Sequence, residues 1–317
     1  MKRAEVALAL LLGFGTLTVW IEDRWAWGVF QVGIFVLAGW RALRPTPFPL
    51  RPALGVLALA AIWPFIQLAS GTSISPADTL AEALTWFTFL LVFGLSSEAL
   101  ALPGPRRWFL GSIVTFGMCL AFAAMLQQYT SNGRIFWLFR SGYSQGVLGP
   151  FVNRNQFAAW VELLLPVALY LAATDRHLRP VFGCAAAVLF SSVIASASRA
   201  GSVLVCGEVL VVVAALAARR AAPRKALGLA ALQFLVLAAL ATIIVGWQSL
   251  ETRWVFGQSE VVRVDAGRAS WKMVHDRPWM GSGLGTWSII YPRYAGLDAG
   301  VFVNQAHDDW AQWSAEG

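Results

Sequence analysis

VFGCAAAVLFSSVIASASRAGSVLVCGEVLVVVAAL, residues 181–216, is two apolar runs joined by one short polar turn. A helix that crosses a bilayer needs about 20 mostly apolar residues. The runs on either side of ASASRAGS, residues 195–202, read as two membrane helices with a tight turn between them. That turn carries a permanent charge, Arg199, and the side of the membrane it faces decides what the charge can do.

The rest of the chain repeats the pattern. Of 317 residues, 58% are hydrophobic and 13% charged, with a mean hydropathy of +0.62. A soluble domain carries about 25% charged residues, so the composition indicates a polytopic membrane protein. The expected fold is all-α: a membrane helix bundle of about nine spans, near 5–20, 25–42, 53–70, 80–98, 108–127, 156–173, 180–196, 201–218 and 226–247. The expected division is a bundle over residues 1–247 and a helical outer region over 248–317. The start, MKRAEVALALLLGFG, has the basic end and apolar run of a signal peptide. No A-x-A site follows it, so it reads as an uncleaved first span. The 16 tryptophans suit membrane-interface belts.

Cys119, Cys184 and Cys206 lie inside apolar runs. Their odd number and spacing fit neither a disulfide framework nor a zinc site, and they are expected to serve packing. The net charge of +7 is accounted for by the positive-inside rule rather than by a nucleic-acid partner. With the N-terminus cytoplasmic and nine alternating spans, thirteen Lys and Arg fall on the inside and five on the short outside segments. Arg199 then lies on the outer face, together with Arg134, Arg140 and Arg154.

Three outer stretches stand out. In GPFVNRNQFAAW, residues 149–160, Asn153, Arg154, Asn155 and Gln156 enter an apolar helix. Either asparagine can cap it, and a helix N-terminus beside an arginine suits an anion. In the SASRAG turn, small residues allow close helix approach and leave Arg199 little freedom. In GRASWKMVHDRPWMGSGLGTW, residues 267–287, Arg268, Trp271, Lys272 and His275 share one face of a short helix, which Pro278 and three glycines end. GSGLG follows a helical segment rather than a strand, so it is no dinucleotide loop, and no phosphate loop for ATP occurs. In the closing FVNQAHDDWAQWSAEG, His307, Asp308 and Asp309 read as a base with its orienter, a solvated cap or a metal cluster. A single histidine without a second ligand pair argues against metal. Anions at such an interface are lipid phosphates and diphosphates, which arginine grips through a planar fork.

GPFVNRNQFA, SxSRAG, R-x-x-W…RPWMGSGLGTW and AHDDWAQWSAEG, in this order, resemble the bacterial O-antigen ligase family, over roughly residues 145–317. The superfamily includes O-antigen polymerases and protein O-oligosaccharyltransferases. The resemblance implies a membrane glycosyltransferase C-type fold in the bacterial inner membrane, with the active site periplasmic. It implies transfer of a glycan from undecaprenyl diphosphate to an acceptor hydroxyl, that of lipid A–core for a ligase, with no metal or other cofactor. By motif, Arg199 and Arg268 bind the diphosphate, His307 is the catalytic histidine, and Arg154, with Asn153, Asn155 and Asp308, accompanies them. Asp308 stands where the family often has Asn. The family usually continues beyond the His-x9-Gly pattern, here His307 to Gly317, into further spans, so on this reading the chain is C-terminally truncated. A transporter or flippase of lipid-linked sugars is the more distant alternative. It predicts a polar path through the spans, where only Glu82, Glu162 and Glu208 stand out.

Overall fold

A computed structural model describes residues 2–44, 51–142, 146–219, 225, 228, 232, 234–236, 239, 258–297, 300 and 302–317. The described residues are all-α apart from one hairpin of two-residue strands and a bridge between Leu148 and Phe151. Eight long helices come first: α1 (Lys2–Leu17), α2 (Arg24–Ala42), α3 (Pro52–Ala69), α4 (Pro76–Ala99), α5 (Pro103–Thr130), α6 (Arg154–Thr174), α7 (Arg179–Ser196) and α8 (Arg199–Ala218). Strands β1 (Arg134–Ile135) and β2 (Phe139–Arg140) pair antiparallel between α5 and α6. The C-terminal region adds α9 (Gln258–Asp276), α10 (Trp287–Ile290), a 3-10 turn (Tyr291–Arg293) and α11 (Asp309–Glu316).

Among the described residues, six helices, α3 to α8, are long and apolar enough to cross a membrane. The chain is an integral membrane protein. The spans expected near 5–20 and 25–42 are helical, as α1 and α2. The one expected at 226–247 lies largely outside the described residues. Proline opens α3, α5 and α7 within the first turn, where its missing N–H costs nothing and its fixed φ suits a helix.

The chain gathers into two compact units: Met1–Phe30 with Ala99–Trp254, and Gln31–Glu98 with Val255–Gly317. In the first, α7 packs against α5, α6 and α8. Its span is 72% buried against 17% for α8, which puts α7 at the centre. The Gly, Ala and Ser content of GCAAAVLFSSVIAS explains this, because small side chains let helices approach closely. Val114, Phe157, Val161, Leu165 and Leu189 fill the spaces between them. The fully buried Gln127, at the end of α5, ties down the following connection. Its amide nitrogen donates to the carbonyls of Val147 and Gly149, and its oxygen accepts from the Phe136 N–H. The three cysteines, expected as packing residues, form no disulfide among the described residues and are exposed. On the surface of a membrane helix a thiol is apolar enough to face lipid.

In the second unit, the buried Arg41 at the end of α2 forms a 2.5 Å ion pair with Glu98 at the end of α4. The C-terminal region builds its own small core. Ala266, Ala269 and Met273 of α9 meet Trp287, Ile290, Tyr291, Ala306 and Ala315. The face of α9 that carries Arg268, Trp271, Lys272 and His275 is solvent-exposed, in agreement with the spacing.

Candidate functional site

The first group of expected site residues lies where α6 and α8 begin. Asn153 caps α6, its side-chain oxygen accepting from the Asn155 N–H at 2.8 Å. Ser198 caps α8 in the same way, accepting from the Gly201 N–H at 3.2 Å. Arg154 and Arg199 are therefore each the first helical residue after a cap. The α7–α8 connection is only Ala197 and Ser198, and Ala197 takes the left-handed conformation at φ +53°. A third contact joins the two helix starts: the Ser198 hydroxyl donates to Asn155 Oδ1 at 2.9 Å.

Gly201 explains how the helices come so close. A Cβ there would stand 2.5 Å from the Ala158 Cβ. Two helix N-termini, each with unpaired N–H groups and a partial positive charge, thus lie side by side with a guanidinium at each. The carbonyl of Ala195, in the last turn of α7, accepts from the Gln128 amide at 2.9 Å, which braces the turn from α5. Arg154 and Arg199 are both half-buried. On the hairpin before α6, Arg134 and Arg140 pair directly across from each other, adding two more exposed guanidiniums to the connection.

The second group belongs to the other unit. Arg268 is exposed on α9, and His307 is exposed just before α11. His307 adopts φ +58°, a left-handed backbone that is uncommon for a non-glycine residue. Partial burial, and then the guanidinium of Arg263 on α9, hold its imidazole pKa below the ordinary value. The imidazole is therefore the neutral, basic form at pH 7. The Asp308 carboxylate caps α11, its Oδ1 accepting from the Ala311 N–H at 3.1 Å. The cap fixes where α11 starts, and with it the position of His307 one residue earlier.

Two residues went unnoticed in the sequence. Arg263 could be placed near His307 only once α9 and the 302–307 segment were docked. Glu316, at the end of α11, is almost fully buried. Its carboxylate accepts from the Trp287 N–H at 2.9 Å and from the Gly285 N–H. Trp287 in turn donates its indole N–H to Ser270 at 2.8 Å. Glu316 thus links α11, which follows His307, to α9, which carries Arg268. Burial, with the nearby carboxylate of Glu82, pushes Glu316 up to about 7.

The glycine-rich segment 281–285 is a docking loop. The fully buried Gln67 at the end of α3 donates to the carbonyls of Met280 (2.8 Å) and Glu316 (2.7 Å) and accepts from the Leu284 N–H (3.0 Å). The Ile74 N–H reaches the Ser282 carbonyl, and the Thr79 hydroxyl the Leu284 carbonyl. Gly283 sits at φ +101°, and a Cβ there would lie 2.6 Å from the Ser73 hydroxyl. The segment cannot take a side chain at that point and still lie on the α3–α4 connection.

Residues 184–317 match the O-antigen ligase family model. No curated protein and no solved structure gave a match. The match supports assigning residues 184–317 to the O-antigen ligase family and, in general terms, membrane glycosyl transfer of the ligase or polymerase type.

Proposed function

With that match as the premise, we propose that the protein moves a glycan from undecaprenyl diphosphate to an acceptor hydroxyl, and that the transfer is ligation of O-antigen to lipid A–core at the periplasmic face of a bacterial inner membrane. One observation carries the reading furthest: Arg154 and Arg199 begin two helices joined through the Asn155–Ser198 hydrogen bond. Paired helix N-termini with two guanidiniums suit a diphosphate, which presents several oxygens over a few ångströms.

The bond that breaks joins the anomeric carbon to the diphosphate oxygen. The bond that forms joins that carbon to the acceptor oxygen. Negative charge develops on the leaving diphosphate, and Arg199, Arg154 and Arg268 stabilise it. Fixed, pre-oriented donors count for most here, because they need no reorganisation as the charge appears. His307 takes the proton of the attacking hydroxyl. Its lowered pKa keeps it unprotonated at neutral pH, as a general base requires. Asn153 and Asp308 act through the helix starts they cap.

The test is a transfer assay in detergent with undecaprenyl-diphosphate-linked polysaccharide and lipid A–core. Arg199→Ala and His307→Ala are run in parallel. One jump of preformed chain onto lipid A–core, lost in both variants, supports the ligase. A ladder growing on the carrier lipid makes the protein a polymerase, and transfer to a protein hydroxyl makes it an oligosaccharyltransferase. Movement of the lipid-linked sugar across vesicles without transfer favours a flippase.

A further inference from the structure

The opposite end of α6 carries a second basic site that the glycosyl-transfer reading does not use. A cavity of about 400 Å³ opens between the start of α5 and the α6–α7 connection. Arg106, Arg107, Arg176, His177 and Tyr170 line it, and Asp175 is its one carboxylate. α6 has 21 residues, so this cavity lies about 30 Å along the helix from Arg154.

Asp175 is committed to the fold. Its side chain is 3% exposed and accepts from the N–H groups of His177 and Leu178, both at 3.0 Å. Burial alone would raise its pKa, but these two N–H groups and Arg107 outweigh burial and hold it below the ordinary value. It therefore stays ionised, and its 2.6 Å ion pair holds the Arg107 guanidinium at the cavity edge. Among the described residues, Arg106 and Arg176 have no ion-pair partner. Three guanidiniums thus face one already engaged carboxylate.

The cavity does not end in solvent alone. Arg107 also lines an apolar groove of about 530 Å³ between α5 and α7. Trp108, Gly111 and Thr115 form one wall, at the three- and four-residue spacing of a single helix face, and Val181 and Phe182 form the other. Gly111 and Gly104 keep that wall shallow. A basic pocket and an apolar groove that share Arg107, along membrane-spanning helices, fit a molecule with an anionic head and a hydrocarbon chain. The positive-inside bias accounts for arginines at this boundary. It does not account for a concavity or for an apolar groove beside it.

We propose that this is a binding site for an anionic phospholipid. Its phosphate lies among Arg106, Arg107 and Arg176, and one acyl chain lies in the α5–α7 groove. Charge complementarity selects the occupant: a zwitterionic lipid brings its own cation into a pocket that already holds three. Each arginine near a membrane surface favours an anionic headgroup by roughly fivefold.

The full chain would be purified in detergent and exposed to phosphatidylglycerol and phosphatidylcholine of matched chains, with bound lipid read by native mass spectrometry. Arg107 is left intact, because its loss would strand the buried Asp175. The test variants are Arg106→Gln with Arg176→Gln, and separately Gly111→Leu to fill the groove. Phosphatidylglycerol is expected to be retained about tenfold better than phosphatidylcholine, with the preference lost in the double variant and retention of both lipids reduced in Gly111→Leu. Thermal unfolding in each case checks that the variants fold. Equal retention of both lipids, or a preference that survives the double variant, would overturn the proposal. Displacement of the lipid by millimolar inorganic phosphate would also overturn it, by making the site one for a soluble anion.

Discussion

Arg199 shows how far a single residue can be read. Its charge, its place between two apolar runs and the small residues around it are all visible in the sequence. The structure adds that it is the first residue of α8, behind a Ser198 cap that is itself hydrogen-bonded to Asn155. If the guanidinium grips a diphosphate with two donors, Arg199→Lys keeps the charge but loses the fork. Transfer should fall by about tenfold for the lysine and about 10²-fold for alanine. Lysine activity close to wild type would show that only the charge matters. His307 gives a second prediction at this scale. Its pKa lies below the ordinary value, so the active, neutral imidazole persists somewhat below pH 6.5. The rate should be flat at neutral pH and fall only on the acid side, approaching tenfold per unit. Rate measured from pH 5 to 8 checks this, and an acid limb that persists in His307→Gln would assign it to another group. The alternatives for Asp308 were open in the sequence; the structure adds that its Oδ1 accepts from the Ala311 N–H at the start of α11.

At the scale of elements, local signals were readable and distant ones were not. The Asn153 cap, the exposed basic face of α9 and its end before Pro278 all follow from neighbours a few residues apart. The docking loop does not. Its glycines read as breakers, yet what they must avoid is Ser73 and what they must meet is Gln67, more than 200 positions earlier. No periodicity records such a pairing. Gly283→Ala adds a Cβ where the backbone is left-handed and Ser73 is in the way, so a loss of roughly 2–3 kcal/mol is expected. Faster amide exchange across 280–287, with exchange in α6 and α7 unchanged, would place the damage in the loop. Glu316 makes the same loop sensitive to pH. Its carboxyl titrates near 4.5 when unfolded and about 7 when docked. The docked state binds the proton more tightly, so its stability is full below pH 4.5 and is lost as pH rises toward 7. The span is worth about 3 kcal/mol. Glu316→Gln keeps an acceptor for the Trp287 N–H and cannot ionise. Amide protection of residues 284–287 should therefore fall between pH 5 and 8 in the wild type and stay level in the variant. Equal pH profiles would remove Glu316 as the cause.

For the whole molecule, charge is the property that sequence and structure weigh differently. The sequence counts basic residues by segment and assigns sides from the excess. The structure shows that these residues are not equivalent. Arg41 is buried against Glu98 and Arg107 is tied to Asp175, so both serve the fold as well as topology. Among the described residues, Arg106 and Arg176 have no ion-pair partner and carry the bias alone. On the orientation expected from the sequence, Arg154 and Arg199 sit against that bias, on the side where positive charge is disfavoured, and a bound anion would account for them there. The assignment of sides can be checked directly. With Cys119, Cys184 and Cys206 replaced by alanine, single cysteines would be placed at the exposed positions Leu138, Trp279 and Arg176. Leu138→Cys and Trp279→Cys should react with an impermeant maleimide in intact spheroplasts. Arg176→Cys should react only after permeabilisation. The reverse pattern would put Arg154 and Arg199 in the cytoplasm and remove the lipid-linked glycan as their ligand. Labelling of Leu138→Cys without Trp279→Cys would separate the sides of the two arginine-bearing regions, and His307 could then not serve a diphosphate held by Arg199.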